Sequence, residues 1–388
     1  MVTAFVDMLG LIIIYPLLPF YATRLGANAA TVGALVAAFS VAQLISAPAW
    51  GWMSDRYGRR PAILVGLLVS AFAYVIFAFA DSLWLLFVSR VIQGLGGGTI
   101  GVVQAYVADI TEGKDRAKAL GWLSAVTSLG AVIGPALGSM LIAFGGRTAP
   151  GLGSAVLCVL VSIFAWKFLT ESHAVLNTAE RKALASQQRG GAIRTVLAHP
   201  HEPASRLIWI YAIAIGAFYG TTPMLPLILA ERLAVTEQNV GYFVMYLGAM
   251  GVIVRTALLG RMIEWLGEAK VSRLGLVFLA AGLVMVARIT SYPTMLIAMT
   301  LMPIGTGFLF PCITAMLSRV VPNAQRGLYI GVQHTFGGIS RVSFPLIAGF
   351  GMDALGMGAP YLFAGAMVFA TLLLTGSLST YLEPQRPQ

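Results

Sequence analysis

The sequence predicts an all-α membrane protein with twelve transmembrane helices in two pseudo-symmetric six-helix bundles. Three observations carry this. The 388 residues are 58% hydrophobic and only 10% charged, with a mean hydropathy of +0.84, whereas soluble domains are roughly 45–50% apolar. The apolar residues gather into runs of about 20, the length that crosses a bilayer. Landmarks of the first half also recur in the second, in the same order and at nearly one offset.

The twelve runs fall at 2–21, 31–53, 61–80, 84–109, 117–144, 151–169, 206–230, 240–264, 271–289, 295–319, 327–352 and 360–381. The first resembles a signal peptide, but eleven spans follow it and no small-x-small cleavage site precedes Arg24. The chain opens directly on this run, which leaves room for a short cytoplasmic leader before the present numbering. Span 1 carries Asp7, of the fifteen acids the one well inside a span. An unpaired carboxylate in hydrocarbon must be protonated or paired, which is the chemistry proton coupling needs. The bland alternative is a carboxylate near enough to the cytosol to be hydrated. Between spans 2 and 3, Gly51, Asp55, Arg56, Gly58, Arg59 and Arg60 make a tight basic turn that belongs on the cytoplasmic side. In span 4, Arg90, Gln93, Gly94, Gly97, Gly101 and Gln104 share one helical face. A guanidinium there faces a cavity or partner, or else snorkels to the outer headgroups. Gly96-Gly-Gly98-Thr-Ile-Gly101 fits a dinucleotide fingerprint but follows no strand, so it is set aside. In span 5, Gly130, Gly134, Pro135 and Gly138 predict a kinked helix with a flat packing seam.

The longest polar stretch divides the chain into a first bundle (1–170), a cytoplasmic linker (171–205) with a possible surface helix at 179–188, and a second bundle (206–388). Its His199 and His201 read as solvated loop residues. Pro16 and Pro19 recur as Pro223 and Pro226, and Gly51 as Gly260 with Glu264, Gly267 and Lys270. Arg116, Gly121 and Pro135 recur as Arg326, Gly331 and Pro345. Parallel repeats with a site near the midplane between them are a transporter arrangement. In the second half Arg255, Arg288, His334 and Arg341 are the charged or titratable outliers within spans. The cavity should draw on Asp7, Arg90, Gln93, Gln104, Tyr246, Arg255, Gln333, His334 and Arg341, with Tyr15, Tyr219 and Phe308 as apolar wall. Of the 25 Lys and Arg, three (Arg24, Arg147, Arg232) fall outside, four lie within spans, and the remaining eighteen are cytoplasmic. That bias puts both termini inside and makes the +10 net charge topogenic, so no nucleic-acid partner is expected. Cys158 and Cys312 lie in spans and imply no disulfide.

The loop from Gly51, the Arg90–Gly98 and Gly130–Gly138 segments, and Asp7 with Pro16 and Pro19 resemble the twelve-span drug/proton antiporters of the major facilitator superfamily, and within them the bacterial tetracycline exporters. The resemblance implies a secondary active transporter in the bacterial inner membrane. It would be a proton-coupled antiporter exporting drugs or amphipathic small molecules by alternating access, as in multidrug efflux and antibiotic resistance. It implies that Arg90 serves proton coupling, that Asp7 is a protonation or substrate residue, that Asp55 faces the start of span 11, and that Arg59 reaches Asp109. The chain departs from the tetracycline exporters at Ala73, at Arg288 and at Ser139. Four intramembrane arginines against one acid keep a uniporter or symporter of a small organic anion as the alternative. Without Gly-x-Ser-x-Gly or His-Glu-x-x-His the chain does not read as an enzyme. No metal or cofactor is implied; the expected partners are a small-molecule substrate, protons and the lipid bilayer, and the protein is expected to be a monomer.

Overall fold

The computed structural model describes residues 1–111, 115–172 and 191–376. Among the described residues every regular element is helical. Ten helical segments are long and apolar enough to cross a membrane: α1 (Val2–Arg24), α2 (Ala29–Tyr57), α3 (Arg59–Ala78), α4 (Leu83–Ile110), α5 (Lys118–Gly145), α6 (Thr148–Phe168), α7 (Pro203–Leu233), α8 (Val240–Leu266), α9 (Glu268–Ala287) and α10 (Tyr292–Val320). The next, α11 (Arg326–Leu355), is as long but dilutes its apolar residues with Gln333, His334, Ser340 and Arg341. The last, α12 (Ala359–Thr375), is shorter. Phe144 is 87% exposed and Leu373 86%, which is tolerable where the surrounding solvent is lipid. The surface helix expected at 179–188 and the end of the last span lie outside the described residues.

Local chemistry sets the helix ends. Asn28 caps α2 by accepting the Thr31 N–H at 3.0 Å, and Ser291 with Thr294 forms a capping box on α10. Proline interrupts corresponding helices: α1 breaks at 15–17 beside Pro16, and α7 passes through a 3-10 turn at Thr222–Met224 around Pro223. The internal repeat is written into the backbone. Among the described residues six have positive φ, Gly26, Gly58, Gly146, Ala234, Gly267 and Gly356, which pair as 26 with 234, 58 with 267, and 146 with 356 at the ends of corresponding helices.

The helices group into two compact units. The first holds the described residues up to 172 together with 223–248, and the second holds 191–222 with 249–376. The segment 223–248 joins the first unit through close packing on α5. A Cβ added at Gly241 would stand 1.9 Å from the Pro135 carbonyl oxygen. Ser139 Oγ accepts the Gly241 N–H and donates to the Glu237 carbonyl, each at 2.9 Å.

Candidate functional site

In the first unit α1 lies in a groove of α5 that the sequence cuts with glycine. Cβ atoms at Gly130, Gly134 and Gly138 would fall 2.9, 3.2 and 2.4 Å from the carbonyl oxygens of Phe5, Leu9 and Ile13. A row of glycines four apart thus meets a row of carbonyls four apart, the closest approach two helices can make. Opposite, Gly10 admits the Tyr74 ring of α3, whose hydroxyl would sit 3.1 Å from a Cβ there. These contacts fix the depth and rotation of Asp7.

Asp7 faces two spaces. One is a cavity of about 710 Å³ among α1, α4 and α5, lined by Asp7, Met8, Ile100, Gln104, Leu120, Ser124 and Thr127 among others. Its size lies within the range of ligand sites, about 300–1,000 Å³. The other is a narrow chamber of about 10 Å³ in which Gln43, Ser70, Tyr74 and Gln93 stand among apolar residues such as Leu11 and Phe39. Behind it Arg90, 1% exposed, stacks its guanidinium 4.5 Å from the Phe39 ring centroid and donates from Nη1 to Gln93 Oε1. Among the described residues Arg90 Nε and Gln93 Nε2 have no hydrogen-bond partner. The Tyr74 side chain is within electrostatic reach of Asp7, Arg90 and Gln93, and Thr99 adjoins the Asp7 carboxyl. The expected single stripe along span 4 is therefore divided. The helix turns at 97–98, where a Cβ at Gly98 would strike the Trp50 ring at 2.3 Å. Arg90 and Gln93 are buried, while Gly101 and Gln104 line the cavity.

At the 2–3 loop, Arg59 bridges two acids, with Nη1 2.9 Å from Asp55 and Nε 3.0 Å from Asp109. Gly58 holds φ +105 and ψ 162, and α3 has no side-chain cap of its own. Its free N–H groups are met from afar, since Glu171 accepts the N–H of Arg59 at 2.8 Å and of Arg60 at 3.2 Å. A Cβ at Gly58 would stand 2.4 Å from Glu171 Oε2. Arg56 instead lies over Trp52 and Tyr57. On another face of this unit Glu237 accepts from Arg24 Nη2 and Arg147 Nε, both at 3.1 Å.

In the second unit α7 and α11 pack closely: Cβ atoms at Gly216 and Gly220 would meet Phe344 at 2.4 Å, and one at Gly337 would meet Tyr211 at 2.9 Å. Along their edge Arg341 lies 4.8 Å from the Tyr219 ring centroid, and His334 meets Tyr211 edge-on at 6.2 Å. Arg341 and His334 are exposed although both lie within α11. An arginine at the centre of a span costs at least about 2.5–3.5 kcal/mol, and a cation–π contact returns only about 0.5–2 kcal/mol. Stacking on Tyr219 alone does not offset that cost. Arg255 sits in a π-helical turn at Val254–Leu258, a distortion common at functional sites.

The family model described as Major Facilitator Superfamily matches residues 1–270 and 207–388. The chain belongs to the major facilitator superfamily. It is similar to Multidrug resistance protein 2 of Bacillus subtilis (strain 168), 30% identical over 379 residues, covering 96% of this chain and 92% of that one. It is also similar to the class C Tetracycline resistance protein of Escherichia coli, 29% identical over 89% of this chain and 86% of that one. Among solved structures, a bacterial homologue of the human lysosomal transporter Spinster superposes with a TM-score of 0.75 at 14% identity, covering 98% and 93% of the two chains. That likeness concerns the fold. The chain is accordingly a multi-pass membrane protein of a transporter superfamily.

Asp7, Arg90, Gln93 and Gln104 therefore gather in one unit of this facilitator, and Arg255, His334 and Arg341 belong to the other. Tyr246 lies in the α8 stretch that packs with the first unit. Gln333, expected in a cavity, is fully buried and donates from Nε2 to Thr314 Oγ1 at 3.2 Å, tying α11 to α10. Phe308, expected in the cavity wall, is buried beside Phe278. Sequence reasoning missed Tyr74, Thr99, Glu171 and Glu237. Tyr74 and Thr99 sit in apolar runs where nothing marks them out. Glu171 and Glu237 are acids next to helix ends, whose partners lie 90 to 213 residues away.

Proposed function

We propose that this facilitator is a proton-coupled antiporter that exports amphipathic small molecules by alternating access, with Asp7 as the proton-carrying group. The reading rests on one observation above the rest: a carboxyl inside a span, on a helix locked by glycine packing, faces both a cavity of about 710 Å³ and the chamber backed by Arg90. A carboxylate facing hydrocarbon is costly, whereas its protonated form is cheap. Asp7 therefore favours losing its proton only when water or a bound ligand fills the cavity. Tyr74 and Gln93 stand between it and the fixed charge of Arg90, and the buried guanidinium favours an anion nearby without forming a tight ion pair that would trap it. The similarity to drug-resistance proteins supports export as the direction. The loop with Asp55, Arg59 and Asp109 serves as a latch of the transport cycle, and both termini are assigned to the cytoplasm. The test is transport by the purified protein in proteoliposomes with and without a pH gradient. Substrate movement that ignores the gradient removes proton coupling from the proposal.

A further inference from the structure

We propose that the edge of the α7–α11 pair is a substrate subsite for aromatic molecules carrying an anionic group. This rests on the transporter reading above and adds a substrate class to it. Tyr211 and Tyr219 are eight residues apart on α7, and His334 and Arg341 are seven apart on α11, so each pair shares a face of its helix. Contacts join them across the pair, Arg341 over Tyr219 and His334 against Tyr211, while Arg341 is also within electrostatic reach of Tyr211 and His334. Phe310 extends the aromatic surface, 5.4 Å from Tyr211.

Depth decides what the group is for. Arg341 is the sixteenth of thirty residues in α11, at the middle of a helix about 45 Å long, so it stands about 15 Å from either face of a hydrocarbon core about 30 Å thick. A side chain cannot snorkel that far to the headgroups. Among the described residues no carboxylate forms an ion pair with it. An exposed guanidinium at that depth faces a polar pathway and lacks an anion. Its planar fork suits a carboxylate or sulfonate, while the Tyr219 ring, 39% exposed where Tyr211 is buried, offers a stacking face to a flat apolar body. The tight glycine packing beneath Tyr211 and Phe344 keeps the surface rigid, so little ordering is needed when a ligand binds.

The experiment measures binding of three isosteric probes to the purified full chain in detergent: 2-naphthoate, 2-naphthylmethanol and 2-naphthylmethylammonium. The expected order places 2-naphthoate at least about tenfold tighter than either analogue. Arg341→Gln abolishes that preference while leaving the affinity for 2-naphthylmethanol within about twofold, and Tyr219→Leu weakens all three. Arg341→Lys, which keeps the charge, retains part of the preference and guards against a folding defect in Arg341→Gln. Tighter binding of the ammonium probe, a preference that survives Arg341→Gln, or no binding of any probe overturns the subsite. If any of these occurs while transport still follows a pH gradient, the substrate class falls and proton antiport stands; the converse result removes antiport and leaves the subsite.

Discussion

At the first turn of α3 the cap position is Gly58, which has no side chain to offer, and the Glu171 carboxylate accepts the Arg59 and Arg60 N–H groups instead. A cap of this kind, an anion at a helix amino end, contributes about 0.5–2 kcal/mol. Glu171→Ala should therefore lower thermal stability by about that amount, with Glu171→Gln intermediate because an amide has one acceptor oxygen where the carboxylate has two. Gly58→Ala should cost more. It combines a backbone region open essentially to glycine alone, worth about 1–3 kcal/mol, with eviction of the Glu171 oxygen that occupies the Cβ position. Thermal unfolding of the detergent-solubilised variants measures both. Tyr74 is the corresponding case for function. Tyr74→Phe keeps the ring that packs on Gly10 and removes only the hydroxyl near Asp7 and Arg90. It should slow proton-coupled transport several-fold at nearly unchanged melting temperature, and an unchanged rate would take Tyr74 out of the proton path.

Single-residue signals of this sort had mixed visibility in the sequence, and at the scale of elements the reason is clear. The repeat was readable where identical residues recur, as at Pro16 and Pro223. It was hidden where chemistry recurs with the signs exchanged. Arg59 at the start of α3 pairs with Asp109 at the end of α4, and at the matching places Glu268 of α9 pairs with Arg319 of α10. Identity matching cannot see a bridge whose charges are swapped. The same holds for Ala234, which keeps φ 51 and ψ 32 where its counterpart is Gly26. Left-handed alanine costs about 1–2 kcal/mol, more than the roughly 0.4–1 kcal/mol of chain entropy a glycine adds. Ala234→Gly should therefore raise stability by a few tenths to about 1 kcal/mol, and a lower melting temperature would contradict that balance. The α1–α5 seam was legible as a glycine row, but its service to Asp7 became visible only when the carbonyls of Phe5, Leu9 and Ile13 were found in register with it. For the loop, Asp55→Asn removes one of the two acids around Arg59. It should reduce turnover markedly while substrate affinity changes by less than about twofold; lost affinity with intact cycling would refute a latch.

For the whole molecule, composition and span length were enough to give an all-helical membrane protein, because hydropathy is summed over many residues and survives local errors. The attachment of residues 223–248 to the first unit was not readable, since it depends on the missing side chain of Gly241 and the hydroxyl of Ser139. Nor does hydropathy reveal what a facilitator carries, for which the groups proposed above are Asp7 and Arg341. The role proposed for Asp7 is to couple a proton to substrate movement. The most direct measurement compares, for the wild type and Asp7→Asn in the same proteoliposomes, uptake driven by a pH gradient with exchange of substrate against substrate at equal pH. Asp7→Asn should lose gradient-driven uptake and keep exchange. Gradient-driven uptake that persists in Asp7→Asn at the wild-type rate would contradict it.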